Sequence, residues 1–247
     1  VGDIHGCIEE LLDLLNRLGY VVGPDLTVTP PAGHRAVFLG DLGDRGPDTP
    51  AVYRLVMGMV DAGQARCVIG NHDEKLRRKL AGHRVSVDNG LALTLDQLFH
   101  EPMSLRRRVR AFLEGLPSHL LLDHGRLVVA HVGLKQDLQG RKNKRAWAFA
   151  VYGDTTGERD EFGLPVRRDW AAEYHGPALV VYGHTPVPEV RWLNRTVNID
   201  TGCVFGGKLT ALRYSPGVGG EPDLEVVSVP ARRTYWVSPS FPAPARR

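Results

Sequence analysis

Cysteine is scarce in this chain of 247 residues, which carries three, Cys7, Cys67 and Cys203, dispersed and without a CxxC pair. An odd, scattered set argues against a disulfide framework and against a zinc ribbon, and a reducing cytoplasm is the expected setting. Long apolar runs are missing too: none reaches the roughly 18 residues that a membrane helix needs, and no signal-peptide pattern precedes the first motif. No membrane is therefore expected. Also absent is a phosphate-binding GxxxxGK followed by Ser or Thr, so kinase activity is not expected. Neither sign of charge dominates: 31 basic against 28 acidic residues leave +3, which permits a polyanionic partner without demanding one. What remains, 43% hydrophobic and 24% charged residues, is an ordinary globular composition, long enough for one large domain.

Apolar spacing gives that domain a rhythm. Ile8, Leu11, Leu12, Leu15 and Leu18 recur at helical intervals, and Gly19 closes the segment. A strand-like run from Ala36 to Leu39 leads into "GDLGDRG". A second helix, about 50–62, gives way to a run from Arg66 to Ile69 that enters "GNHDEK". Strand, loop, helix, strand is the form of an α/β core. The middle, about 74–116, is helical and basic, and three further apolar runs, 127–130, 179–182 and 196–199, follow. We read 1–230 as the domain, about 135–177 as an insertion forming a lid, and 231–247 as a Pro/Arg-rich tail or linker.

The runs share one property. Each ends in an acid, an amide or a histidine: Asp3 and His5, Asp41 and Asp44, Asn71 and His72, His131, His184, Asp200. Any one of these could be a turn residue, a helix cap or a hydrogen-bonded core histidine. Six recurrences at strand ends, which converge on the ligand-binding edge of an α/β sheet, point instead to a cluster in space. Carboxylate, imidazole and amide without thiolate suit Mn²⁺, Fe, Ni²⁺ or Zn²⁺. There are more ligands than one tetrahedral ion needs, so two ions sharing a carboxylate are expected, about 3.5–4 Å apart and suited to phosphoryl transfer to water.

"GDIHG", "GDLGDRG", "GNHD", "HVGL", "YGHTP" and "IDTGCVFGGKLTALR", in this order over residues 1–214, resemble the calcineurin-like metallophosphoesterases, in their phosphoprotein-phosphatase branch. The resemblance implies an α/β fold in which two mixed β-sheets pack as a sandwich flanked by helices. It also implies two divalent transition-metal ions, Mn²⁺ or Ni²⁺. Carried over by position, Asp3 and His5 hold the first ion, Asp41 bridges, and Asn71, His131 and His184 hold the second. Arg45 would grip phosphate oxygens, and His72, oriented by Asp44, would protonate the leaving oxygen. Asp200 is assigned to the phosphate site or to support of the ligands. One departure stands out: Gly43 replaces the usual apolar residue in "GDLGDRG" and is expected to loosen the turn.

Finer stretches, "GDRGPDTPAVYRLVMGMVDAG", "GNHDEKLRRKLAG" and "YGDTTGERDEFGLPVRRDWAAEYHGPALVVYGHTPVPE", resemble the phosphatase domain of bacterial polynucleotide kinase-phosphatases. That likeness implies removal of 3'- or 2'-phosphate and opening of 2',3'-cyclic phosphate at RNA ends. It also implies kinase and ligase-like modules in a longer parent chain, in keeping with the abrupt start at Val1, and an RNA-end methyltransferase as a pathway partner. In the basic run 141–145, Arg141, Lys142 and Lys144 are candidate nucleic-acid contacts, and Trp147, Phe149 and Tyr152 are either base-stacking or core residues. Two rivals share the metal motifs, a dinucleoside tetraphosphate hydrolase and a Ser/Thr protein phosphatase. A third reading, a noncatalytic scaffold that has kept the fold, is disfavoured by the intact ligand set.

Overall fold

Side chains alternate across the strands with period two, and this decides which layer each strand residue joins. The computed structural model describes residues 1–159, 161, 165–217, 221–238 and 241. Its first half runs α1 (Ile8–Arg17), β1 (Val21–Val22), β2 (Val28–Thr29), β3 (Ala36–Phe38), α2 (Thr49–Asp61), β4 (Ala65–Cys67), α3 (Asn71–Leu80), α4 (Leu91–Phe99) and α5 (Met103–Gly115). The second half runs β5 (His119–Leu122), β6 (Leu127–Ala130), α6 (Lys144–Tyr152), β7 (Thr155–Arg159), β8 (Pro165–Arg167), β9 (Leu179–Tyr182), β10 (Arg191–Leu193), β11 (Thr196–Asn198), β12 (Lys208–Ser215) and β13 (Asp223–Pro230).

One mixed sheet has the order β10-β11-β9-β6-β5, with β6, β9 and β11 parallel and the outer strands antiparallel. The other is assembled around the first residues of the chain. Val1 N donates to Val37 O (2.8 Å) and Val1 O accepts from Leu39 N (3.1 Å), on the parallel pair β3-β4. Gly2 N donates to Thr210 O (2.8 Å), on the antiparallel pair β12-β13. Val1 and Gly2 thus bridge the β3-β4 and β12-β13 pairs just ahead of Asp3.

Leu127, Val129, Leu179 and Val181 face inward and meet Leu39, Val68, Val197 and Ile199 between the two sheets. Their neighbours Val128, Ala130, Val180 and Tyr182 face outward, against Leu134, Ala146, Phe149, Ala150, Trp170 and Tyr174. On the far side Phe38, Leu209, Ala211 and Val229 pack against Leu11, Leu14 and Leu15 of α1 and Val52, Leu55 and Val56 of α2. The result is the expected sandwich of two mixed sheets flanked by helices.

Two segments differ from expectation. The described part of 135–177 is a packed layer on the sheet rather than a lid, because Leu138, Ala146, Phe149 and Trp170 bury themselves against β6 and β9. Only the β7-β8 hairpin stands out, with β7 exposed throughout. At the other end, the chain beyond β13 folds back. Arg232 N and Tyr235 Oη donate to Glu10 Oε1 (2.9 and 2.7 Å), Tyr235 N and Trp236 N donate to Val204 O, and Phe241 is buried against Phe205. Residues 239, 240 and 242–247 of the expected tail lie outside the described residues. No helix among the described residues is long and apolar enough to cross a membrane.

Candidate active site

Parallel strands deliver their C-terminal ends to one edge, and the polar residues of the motifs stand just past them: Asp41 after β3, Asn71 at the start of α3 after β4, His131 after β6, His184 after β9 and Asp200 after β11. Asp3 follows Gly2 onto the same edge, where Asp3 Oδ2 accepts from His184 N (3.1 Å).

The donor atoms face one another. His131 donates Nδ1–H to Leu39 O (3.0 Å), which leaves its Nε2 lone pair turned into the site. That nitrogen lies 2.9 Å from His184 Nδ1, 3.0 Å from Asn71 Oδ1 and 3.3 Å from Asp41 Oδ2. Neighbouring ligands on one ion with bonds of about 2.1 Å stand roughly 3 Å apart, so this spacing suits a metal. His5 is prepared in the same way: Nδ1–H donates to Gly43 O (2.7 Å), and Nε2 lies 3.8 Å from Asp41 Oδ2. Two groups, Asp41 with His131 and His184 and Asp41 with His5 and His72, hold their ligand atoms within 4.8 Å of one another. Asp41 belongs to both. Asp3 Oδ1 is buried without a hydrogen-bond partner, an orphan that a cation would satisfy.

Protonation follows from this crowding. Burial, with Asp200 beside it, raises the Asp3 carboxyl well above its ordinary range, and burial raises Asp200 to about 6. Burial opposes ionisation of Asp41 as well, but His131 and His72 outweigh it and hold Asp41 well below the ordinary range. Burial and then Arg45 depress His5, and burial and then His131 depress His184. His131 itself is raised to about 9: burial works against its charge, and Asp41 and Asp3 overcome it.

Backbone strain collects here. His5 (φ 47°), Asp41 (48°), Asp44 (70°), Arg45 (69°) and His184 (75°) are all left-handed. Each such residue costs on the order of 1 kcal/mol or more, tolerated where the surroundings fix the turn. Glycines make the approach possible: a Cβ on Gly70 would overlap the Asp41 carboxylate, and one on Gly183 would overlap that of Asp3. Gly43 does not loosen its turn as expected, because Thr49 fills the space where a side chain would stand (2.8 Å to Cγ2) and the Gly43 carbonyl holds His5.

Above the donor cluster, His72 Nδ1 and Asp44 Oδ2 are 2.6 Å apart, and Asp44 N donates to Thr94 Oγ1 (2.9 Å). Arg45 spreads its fork over two imidazoles, Nη1 to His5 Nε2 and Nη2 to His72 Nε2, both 3.0 Å, with the guanidinium 5.3 Å from the Phe205 ring centre. Asp200 lies beside Asp3, within the field of Arg45, and its Oδ1 accepts from Gly202 N (3.0 Å).

Sequence reading missed two residues. Asp73 accepts from Asp41 N (2.7 Å), Gly70 N (3.1 Å), Leu42 N (3.2 Å) and the buried Tyr53 hydroxyl (2.8 Å), tying the Asp41 loop to the start of α3. An acid at the third position of a helix, bonding back to its cap, was a readable signal. Arg167, at the end of β8, donates to Tyr152 O, and its charge acts on His184 and Asp41. Nothing in "VRRDW" distinguishes it from a surface arginine.

Other candidates lie elsewhere. Arg141, Lys142 and Lys144 are exposed at the N-terminal end of α6, whose opposite end joins the site through Val132 N to Ala150 O (2.9 Å). Phe149 is core, whereas Tyr152 is exposed and packs edge to face with Trp147. Cys7 and Cys203, distant in sequence, meet in the core beside Glu10.

Comparison with known proteins sharpens this picture. Over 239 residues the chain is 46% identical to the bis(5'-nucleosyl)-tetraphosphatase PrpE (asymmetrical) of Anoxybacillus flavithermus, covering 95% of this chain and 94% of the relative. The Bacillus subtilis protein of the same name is 45% identical over 239 residues, 95% of each chain. A crystal structure provisionally described as a diadenosine tetraphosphatase superposes with a TM-score of 0.64 at 26% identity, over 94% of this chain and 91% of that one. A yeast Ser/Thr phosphatase shares the fold alone, at a TM-score of 0.62 and 18% identity, over 92% of this chain and 77% of that one.

These relatives overturn the RNA end-healing reading. The match fills 94–95% of their length, which leaves them no room for kinase or ligase-like modules. RNA 3' ends, those modules and the RNA-end methyltransferase fall together as expected partners. The error has a physical source: the residues that hold metal and phosphate are the same whatever group the phosphate carries, and the stretches read as RNA-specific contain donor-cluster residues themselves, Asn71, His72 and His184. Residues 1–188 match the calcineurin-like phosphoesterase profile, and with the strand-end donor cluster in place the chain belongs to that family.

Proposed function

We propose that this chain hydrolyses bis(5'-nucleosyl) tetraphosphates asymmetrically, releasing a nucleoside triphosphate and a nucleoside monophosphate. Identity of 44–46% to tetraphosphatases over 94–95% of the chain carries the reading, with a donor set suited to phosphoryl transfer to water in support. The donor set fits two divalent ions, of which Mn²⁺ suits mixed carboxylate, imidazole and amide ligands. Asp3 and His5 would serve one ion, Asn71, His131 and His184 the other, and Asp41 both. Such ions neutralise phosphate charge and supply a water of lowered pKa.

The chain's own residues do the rest. Arg45 and Arg167 bring two guanidiniums to the edge, where they would orient the attacked phosphate. The Asp44 carboxylate keeps His72 Nδ1–H engaged, so proton exchange with the substrate would fall to Nε2, the atom that here accepts from Arg45 Nη2. Fixed dipoles and charges held by strained loops need no rearrangement as the phosphate reacts.

The test is product analysis. Purified protein with Mn²⁺ is offered diadenosine tetraphosphate, an RNA 3'-phosphate, a 2',3'-cyclic nucleotide and a phosphopeptide. We expect preferred turnover of the first, giving ATP and AMP in equal amounts. Two ADP per substrate, or preference for another compound, would refute the reading.

A further inference from the structure

Tyr152 ends α6 partly exposed, with 38% of the residue's surface accessible, although the same helix buries Ala146, Phe149, Ala150 and Val151. Its position is tied to the reaction edge from three sides. Its carbonyl accepts from Arg167, the guanidinium whose charge reaches His184 and Asp41. Its hydroxyl lies in the field of Glu74, Arg78 and Arg77 on α3, the helix that opens with Asn71 and His72. Through Ala150 its helix is bonded to Val132, next to His131.

The ring is also held in place. Trp147 meets it edge to face, with centroids 5.6 Å apart and planes at 75°. Edge-to-face support fixes an aromatic while leaving at least one of its faces open to another planar group. Cations stand beside it: Arg77 is neutralised by Glu74 (2.6 and 2.8 Å), whereas Arg78 is exposed and has no carboxylate partner among the described residues.

We infer that Tyr152, braced by Trp147, is the platform on which one nucleobase of the dinucleotide stacks. Through its carbonyl Tyr152 adjoins a guanidinium proposed to orient the reacting phosphate, a placement that suits a substrate in which a base lies a ribose away from that phosphate. The inference rests on the proposed function and adds a base subsite to it. Stacking on an aromatic takes any base, so the subsite favours nucleotides over base-free phosphates with little choice among bases.

The test compares wild-type, Tyr152→Ala and Tyr152→Phe enzymes, loaded with Mn²⁺, on diadenosine tetraphosphate and on glycerol phosphate, which has neither a base nor a ring. Because the Arg167 bond uses the Tyr152 carbonyl, Tyr152→Ala leaves it in place. Losing one stacked base is worth roughly 10- to 100-fold in affinity. We expect Tyr152→Ala to raise KM for the tetraphosphate by about that factor with little change in kcat, lowering selectivity over glycerol phosphate by the same factor. Tyr152→Phe, which keeps the ring, restores selectivity. Equal losses on both substrates, or no loss, would overturn the platform alone; failure of the wild-type enzyme to turn over the tetraphosphate would overturn the functional reading and the platform with it.

Discussion

As the proposed proton donor, His72 has a different task on each substrate class. Toward a nucleoside alkoxide a general acid is essential, because an alkoxide leaves poorly. A tetraphosphate instead expels a polyphosphate oxygen, which is far less basic and needs less protonation. His72→Asn should therefore lower kcat on an alkyl phosphate monoester by about 100-fold or more, and on diadenosine tetraphosphate by much less; equal losses would assign His72 to binding. His131 gives a second test, through pH. In the metal-free protein it is raised to about 9 against an ordinary 6.5, chiefly by Asp41 and Asp3 against the cost of burial. The folded state then holds a proton that the unfolded chain has lost, so stability falls as pH rises toward 9. The fall is read between pH 6.5 and 9, as a drop in Tm of chelator-treated protein. Saturation with Mn²⁺ should abolish it, since a ligating imidazole is already neutral; a flat curve without metal would rule out a protonated His131.

Strands and the residues at their ends could be read from the sequence because two independent signals coincide there. Short β-branched runs such as Leu127–Ala130 announce a strand buried on both faces, and a polar residue directly after it, His131, announces the edge. What the sequence hides is whatever depends on contacts between distant segments. The left-handed turn at Arg45 follows no propensity rule for arginine. Asp73 looks like any first-turn acid until its bonds to the Asp41 and Leu42 amides are seen. The segment 135–177 misled because its apolar residues, spaced among charges, find their partners only on the outward face of β6 and β9. Arg141, Lys142 and Lys144 misled in the opposite way: a dense charge run is conspicuous in sequence, yet in space it occupies the end of α6 away from Tyr152.

Across the whole molecule, the segment after β13 connects the outer helix layer to the reaction edge. Tyr235 Oη donates to Glu10 Oε1 on α1, while Tyr235 N and Trp236 N hold Val204 O at 3.0 and 2.9 Å. Val204 precedes Phe205, the ring beneath the Arg45 guanidinium, and Phe205 packs on Phe241 at 5.8 Å between centroids. Arg45 in turn bonds His5 and His72. A segment that composition marks as a linker is thereby part of what holds Arg45, the arginine proposed to grip phosphate. Tyr235→Phe removes one hydrogen bond from a buried carboxylate and should cost about 1–3 kcal/mol in urea denaturation. Tyr235→Ala also removes the ring that covers α1, so Val204 and Phe205 lose a support and Arg45 its fixed position. Its KM for diadenosine tetraphosphate should rise several-fold beyond that of Tyr235→Phe, measured well below the melting temperature of both proteins. If both variants lose stability while KM stays at the wild-type value, the segment stabilises the fold without positioning Arg45.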